Sequence, residues 1–240
     1  NFVTTNLHKK ASRKSEIVTQ MIYGDHFKIL SQKRSWYKIK IKSDGYIGFV
    51  KKKKYSNLIT PSHKIYKLKA NIYKKPNKKK ISLKLSFGSM IKVTNKKLGY
   101  YKFEKGWVNK KDIKPIKFKE KNIFKKILIF KNVEYKWGGK SYKGIDCSGL
   151  VQIFFNFNQT FFPRDAKDQE KYVKREIDLK KLKKNDLIFW KGHVAIILSK
   201  KNLIHAYGPK KKTIVMDIKK TIERIQKTAK LKVKSCKRFS

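Results

Sequence analysis

Cys147 stands in Asp146-Cys147-Ser148-Gly149, where a glycine-rich stretch gives way to helical spacing of Leu150, Val151, Phe154 and Phe157. A cysteine in the first turn of a helix faces unsatisfied backbone N–H groups and the positive end of the helix dipole. Such a setting lowers a thiol pKa and favours the thiolate, the form that attacks carbonyl carbon. The expectation is therefore a nucleophile; the alternative is a buried structural cysteine. The glycines before it, Gly138, Gly139 and Gly144, leave room for another backbone, such as a peptide substrate, to come close. A nucleophilic thiol needs a base, and the base needs an orienting partner. Five histidines are present: His8, His26, His63, His193 and His205. His193 opens an apolar strand pattern after Trp190-Lys191-Gly192, a suitable place for a general base. His205 lies on the next strand pattern, beyond a turn over 199–202. The tightest hairpin register would leave the two histidines offset by about three residues, ~10 Å. A longer loop or a bulge is needed to align them.

The elements that must position these groups read as follows. Strand patterns run over 186–190, 193–198, 202–207 and 213–218, and a short amphipathic helix over 219–230. Residues 124–133 fit a helix with Phe124, Ile127, Leu128 and Val133 inward. Ahead of them the chain carries short β patterns at 17–24, 26–30, 36–41 and 46–50, separated by turn residues. A second copy follows at a period of about 60 residues. Ser86-Phe87-Gly88-Ser89 answers Ile22-Tyr23-Gly24-Asp25, Tyr100 to Phe103 answers Trp36 to Ile39, and Gly106-Trp107-Val108 answers Gly48-Phe49-Val50. Each copy, at about 55 residues, is near the lower limit for a self-sufficient core and gains from a packed neighbour. Linkers are expected at Thr60-Pro61-Ser62 and Lys114-Pro115-Ile116.

Composition bears on partners. Lys and Arg total 64 against 16 Asp and Glu, a formal charge of +48. Nucleic-acid binding is the first reading of such a charge. Only six of the 64 are Arg, however, and the Lys are spread over the whole chain. A phosphate- or base-reading surface favours Arg for its bidentate geometry. Abundant Lys, Ile, Asn, Phe and Tyr with scarce Ala and Pro match AT-rich codons, so no specific nucleic-acid partner is expected. Hydrophobic residues at 40% and aromatics at 13% exclude a disordered basic tail. No run of apolar residues is long enough to span a membrane. Two cysteines provide neither a disulfide framework nor a zinc set, and Cys236, in a Lys-rich tail, reads as a free surface thiol.

Several spaced motifs together resemble the NlpC/P60 cysteine peptidases. They are Tyr135-Lys136-Trp137-Gly138-Gly139, Gly144-Ile145-Asp146-Cys147-Ser148-Gly149-Leu150-Val151-Gln152, Pro163-Arg164-Asp165 with Asp168-Gln169, Asn185 to Trp190, Gly192-His193-Val194 and Leu203-Ile204-His205-Ala206. The two repeats resemble bacterial SH3 domains, and the combination is similar to γ-D-glutamyl-L-diamino acid endopeptidases. The resemblance implies an α+β chain: SH3-like barrels at 1–58 and 62–116, then a papain-like catalytic domain at 118–240. It implies Cys147 as nucleophile, His193 as general base and His205 as its orienter, with no metal or cofactor. The implied substrate is a murein peptide, L-Ala-γ-D-Glu-diamino acid, cut after D-Glu. Asp146 and Ser148 would hold the free L-Ala amine, Tyr135 and Trp137 would shape the pocket, and Tyr46 would close it. Arg164 would pair with a substrate carboxylate or fix a neighbouring acid. The other readings are a wall-binding protein with decayed catalysis, a murein amidase or acyltransferase, and a basic nucleic-acid binder. With no visible leader the sequence favours a cytoplasmic place, a periplasmic or exported one being the alternative.

Overall fold

Alternating β-branched and aromatic residues fold the first repeat into five short antiparallel strands: β1 (Thr4–His8), β2 (Ile17–Ile22), β3 (Phe27–Lys33), β4 (Trp36–Ile41) and β5 (Ile47–Lys51). In the computed structural model they lie in the order β2-β1-β5-β4-β3, with Leu7, Met21, Ile39, Ile41 and Val50 forming a buried cluster. Residues 1–76 and 80–239 are described; residues 77–79, inside the second repeat, and Ser240 lie outside the described residues. The second repeat contains β6 (His63–Ile65), β7 (Lys69–Tyr73), β8 (Ile81–Ser86), β9 (Met90–Ile91), β10 (Asn95–Lys97), β11 (Tyr100–Phe103), β12 (Gly106–Asn109) and β13 (Ile113–Pro115). Its main sheet runs β10-β11-β12-β7-β8, which is the order of the first sheet strand for strand.

The repeat extends to single hydrogen bonds. The Asp25 N–H donates to the Ile22 carbonyl at 3.1 Å, and the Ser89 N–H donates to the Ser86 carbonyl at 3.0 Å. Gly24 and Gly88 occupy the same place in these turns, at φ 89° and 82°. A left-handed φ at the third turn position is what glycine supplies without strain. Gly24 also has no room for a side chain: a Cβ there would sit 2.3 Å from the Met90 carbonyl oxygen. The two repeats pack into each other at this point. Tyr23 of the first repeat is buried in the core cluster of the second with Ile65, Ile72 and Leu85. Its hydroxyl donates to Glu104 Oε2 at 3.0 Å. The expected linker at Lys114-Pro115 is instead part of β13, pairing with β6 so that Pro115 faces His63. Proline is tolerated there because an edge position does not require its missing N–H.

The rest of the chain contains β14 (Lys140–Ser141), β15 (Gly144–Ile145), helix α1 (Cys147–Phe157), helix α2 (Ala166–Tyr172), β16 (Leu187–Trp190), β17 (His193–Ile197), β18 (Asn202–Tyr207), β19 (Lys212–Asp217), helix α3 (Ile218–Ala229) and β20 (Ser235–Lys237). The contacts divide the chain into two units. The first holds residues 1–123, 140–142 and 153–161. The second holds 124–139, 143–152 and 162–240. In the second unit the strands form an antiparallel sheet, β19-β18-β17-β16-β20.

Two expectations fail here. Residues 124–133 make only a 3-10 turn over Ile127–Phe130, and Leu128 is exposed while Phe130 is buried in its place. Cys236 is no surface thiol: it is buried on β20, opposite Ile188 of β16. The tail is drawn in by two contacts that sequence patterning does not reveal. Arg238 grips Asp186 through Nε to Oδ1 at 2.8 Å and Nη2 to Oδ2 at 2.7 Å. Phe239 packs between Phe124 and Phe162. Within the first unit, Lys64 is 1% exposed and its ammonium donates to the carbonyls of Phe118 and Phe157. Phe157 is the last residue of α1, so a buried cation sits where the helix dipole is negative. Burial and the neighbouring Lys119 lower the Lys64 pKa to about 8. Among the described residues no helix is long and apolar enough to cross a membrane.

Candidate active site

Asp146 begins the nucleophile helix. Its carbonyl accepts from the Leu150 N–H at 3.0 Å, and its Oδ1 accepts from the Gly149 N–H at 2.7 Å. That is the N-cap arrangement, and it places Cys147 in the first helical position. Cys147 is 5% exposed. The backbone N–H groups of Ser148 and Val194 point at its sulfur, and the Gly192 carbonyl lies 4.0 Å from Sγ. The thiol therefore rests against the backbone on both sides of His193.

The hairpin solves the histidine offset. Ile196 pairs with Ile204 and Ile197 with Leu203, so His193 and His205 are two register positions apart rather than three. An even offset leaves both side chains on one face of the sheet. The three-residue connection over 199–201 sets this register, closed by the N–H groups of Lys201 and Asn202 donating to Ser199 Oγ. His193 Nε2 and His205 Nδ1 are 2.9 Å apart. His205 is fully buried, stacked on Tyr207 with ring centroids 4.6 Å apart, and its Nε2 lies 3.4 Å from Met216 Sδ. A thioether can only accept, so His205 Nε2 carries the hydrogen. His205 Nδ1 is then an acceptor and His193 Nε2 a donor, which leaves the lone pair of His193 on Nδ1.

Electrostatics departs from the sequence expectation. Burial first, and the Asp146 charge second, push the Cys147 thiol up to about 12, against the N–H groups of Val194 and Ser148 and the charge of Arg164. The helix start does act in the expected direction, but burial outweighs it. Burial holds His193 down to about 4, and holds His205 lower still with help from its neighbour. The raised thiol and lowered imidazole favour the neutral forms of Cys147 and His193. Stability follows with a definite sign. Unfolded histidines gain protons as pH falls through about 6.5, whereas the folded ones stay neutral until about 4. Folding stability should therefore decline across that window; urea unfolding at neutral and mildly acid pH, compared with His205→Phe, should show a smaller decline in the variant.

Arg164 is 3% exposed and forks onto Asp146, with Nη1 to Oδ1 at 2.9 Å and Nη2 to Oδ2 at 2.6 Å. Nη1 also donates to Ser148 Oγ at 2.8 Å, and the Gly138 N–H donates to Asp146 Oδ2 at 2.9 Å. Arg164 is thereby ion-paired with Asp146. The Asp146 carboxylate thus accepts from Gly138, Gly149 and Arg164, with its charge matched by Arg164. The glycines likewise admit the protein's own backbone. A Cβ at Gly149 would lie 2.6 Å from the Gly139 carbonyl oxygen, and one at Gly139 would lie 2.5 Å from that of Gly144.

Tyr135 is half-buried, and its phenol pKa is raised by burial and then by Cys147 and Asp146. Trp137 is 58% exposed in the same unit. Tyr46 belongs to the first unit, half-buried against the core of its own sheet. Gln169 was not among the expected site residues, although it stands in the quoted motif. It is fully buried, and its Nε2 donates to the carbonyls of Ser148 and Pro163, both at 2.9 Å. A buried glutamine on the short helix α2 is the signal that could have found it, and burial is not visible in sequence.

A buried thiol at a helix start beside a two-histidine relay is the site of a cysteine-type hydrolase. Residues 132–230 match the NlpC/P60 family and residues 7–54 match the bacterial dipeptidyl-peptidase SH3 domain, so the chain carries an NlpC/P60 domain preceded by such an SH3 domain. A γ-D-glutamyl-L-lysine dipeptidyl-peptidase of Bacillus subtilis is 28% identical over 233 residues, spanning 86% of this chain and 77% of that protein. Dipeptidyl-peptidase 6 of Lysinibacillus sphaericus is 39% identical over 85 residues, 35% of this chain and only 31% of its own length. The crystal structure of an NlpC/P60 family protein from Bacillus cereus superposes with a TM-score of 0.77 at 22% identity, covering 93% of this chain and 82% of that one.

Proposed function

We propose that the chain hydrolyses the amide bond between γ-linked D-Glu and a diamino acid in murein peptides, acting on peptides with a free N-terminal L-Ala. The observation that carries the chemistry is the Cys147 sulfur set against the backbone flanking His193, with His193 hydrogen-bonded to His205 at 2.9 Å. The substrate class follows from the named relatives. In this reading the second repeat is a second SH3-like barrel, the chain divides at 1–58, 62–116 and 118–240, and the catalytic part is papain-like.

The thiol proton passes to His193 as sulfur attacks the amide carbon; a C–S bond forms and the carbonyl oxygen takes up negative charge. Backbone N–H groups at the start of α1 meet that charge. The C–N bond breaks as the imidazolium returns its proton to the leaving amine, giving a thioester. Water, deprotonated by His193, then hydrolyses the thioester and frees Cys147. His205 keeps the His193 lone pair on Nδ1 throughout. Because His205 acts through His193, His205→Ala should lower kcat less than His193→Ala, with little change in KM. Steady-state kinetics on the two variants checks this, and equal losses would mean that the pair acts as one unit.

The substrate test is incubation with L-Ala-γ-D-Glu-L-Lys and its diaminopimelate counterpart, each with and without N-acetylation of Ala. Release of L-Ala-D-Glu from the free-amine peptides only is the expected result. Equal cleavage of acetylated peptide would remove the amine requirement. No cleavage of any of them would overturn the substrate assignment in favour of another wall amide.

A further inference from the structure

The first unit holds a cavity of about 460 Å³ whose lining includes none of the catalytic side chains. Ile22 and Met90, one from each repeat, meet Ile153 of helix α1 in an apolar wall. The polar part of the lining is short of partners. Lys140 is 1% exposed, and its Nζ is ion-paired with Asp25 Oδ2 at 3.2 Å but makes no hydrogen bond. Both amide atoms of Asn156 are buried without a partner, and so is Nε2 of His26. Buried polar atoms in folded proteins nearly always have partners. Three orphaned atoms around one cavity, beside a buried ammonium with a single ion pair, therefore point to a guest that supplies them.

The lining specifies the guest. Lys140 keeps donor capacity beyond its ion pair with Asp25, and with Lys42 it gives the lining two cations against one acid, which suits a carboxylate. Asn156 offers one donor group and one acceptor side by side, the complement of a peptide amide. The apolar wall suits a hydrocarbon side chain. We propose that this cavity binds a small N-acyl amino acid, its carboxylate on Lys140, its amide on Asn156 and its side chain against Ile22, Met90 and Ile153. Ile153 and Asn156 stand six and nine residues after Cys147 on the same helix, about 9 and 14 Å along its axis. The guest thus touches the helix that carries the nucleophile without occupying its first turn. This site is independent of the bond that the enzyme cuts.

Titration calorimetry of the full chain with N-acetyl-L-leucine tests the proposal, with N-acetyl-L-leucine amide as the probe lacking a carboxylate. One saturable site is expected, and both the amide probe and the Asn156→Leu variant should bind about tenfold more weakly. Lys140→Met should weaken binding at least as much. If that variant fails to fold for want of a partner for Asp25, Asn156→Leu still decides the matter, because it removes no intramolecular hydrogen bond. Absence of saturable binding, or binding unchanged in Asn156→Leu, would overturn the proposal and leave a cavity that holds only ordered water.

Discussion

Cys147→Ala should abolish peptide hydrolysis, lowering kcat/KM by at least about 10⁴-fold, because no other side chain at the site can form the thioester. The folded state should change little, since alanine keeps the helical position and the Asp146 cap depends on main-chain groups. Product release measured by chromatography, beside a thermal unfolding curve, separates the two effects. Retained hydrolysis with an intact fold would sink the assignment of the nucleophile. The same cysteine provides a second readout. With its thiol pushed up to about 12, Cys147 should alkylate more slowly at neutral pH than free cysteine. Fast alkylation would mean that the thiolate is already formed and that the helix start, not burial, controls the sulfur.

Arg164→Met should destabilise the fold by about 3–5 kcal/mol, because it strands the Asp146 carboxylate in a buried position with only neutral donors. For a chain of this size that corresponds to a fall in Tm of roughly 10 °C. The double variant Asp146→Asn/Arg164→Met should recover part of the loss, since it leaves no unpaired charge; a double-mutant cycle in urea measures the coupling. Activity should fall as well, because the same carboxylate caps the helix that presents Cys147. The alternative role, a substrate carboxylate partner, makes the opposite prediction: unchanged stability and a raised KM.

Legibility in the sequence followed the locality of each interaction. The repeat was readable down to Gly24 and Gly88, because a turn that needs a left-handed residue imposes its demand on a single position. The strands of the second unit were readable from period-two patterning, and α1 from the spacing that begins at Cys147. Lys64 and Lys140 were not readable. In a chain so rich in lysine nothing marks the two that are 1% exposed, one against the end of α1 and one in a cavity wall. The burial of Cys236 was not readable either, because a strand recruited to the edge of a sheet by Arg238 and Phe239 depends on contacts distant in sequence.

By itself the sequence determined the chemical inventory and its order: a thiol at a helix start, two histidines on successive strands, a scarce arginine and an acid beside the thiol. Residue identity and short-range periodicity are local properties, and they survive the heavy lysine bias. Only the tertiary structure decided how these groups are used. A three-residue connection set an even register and brought the two imidazoles together. Burial reversed the ionisation expected for Cys147, and Arg164 turned Asp146 from a free charge into a fixed cap. Register, desolvation and ion pairing depend on what lies across space from a group, and that is settled only when the chain has folded.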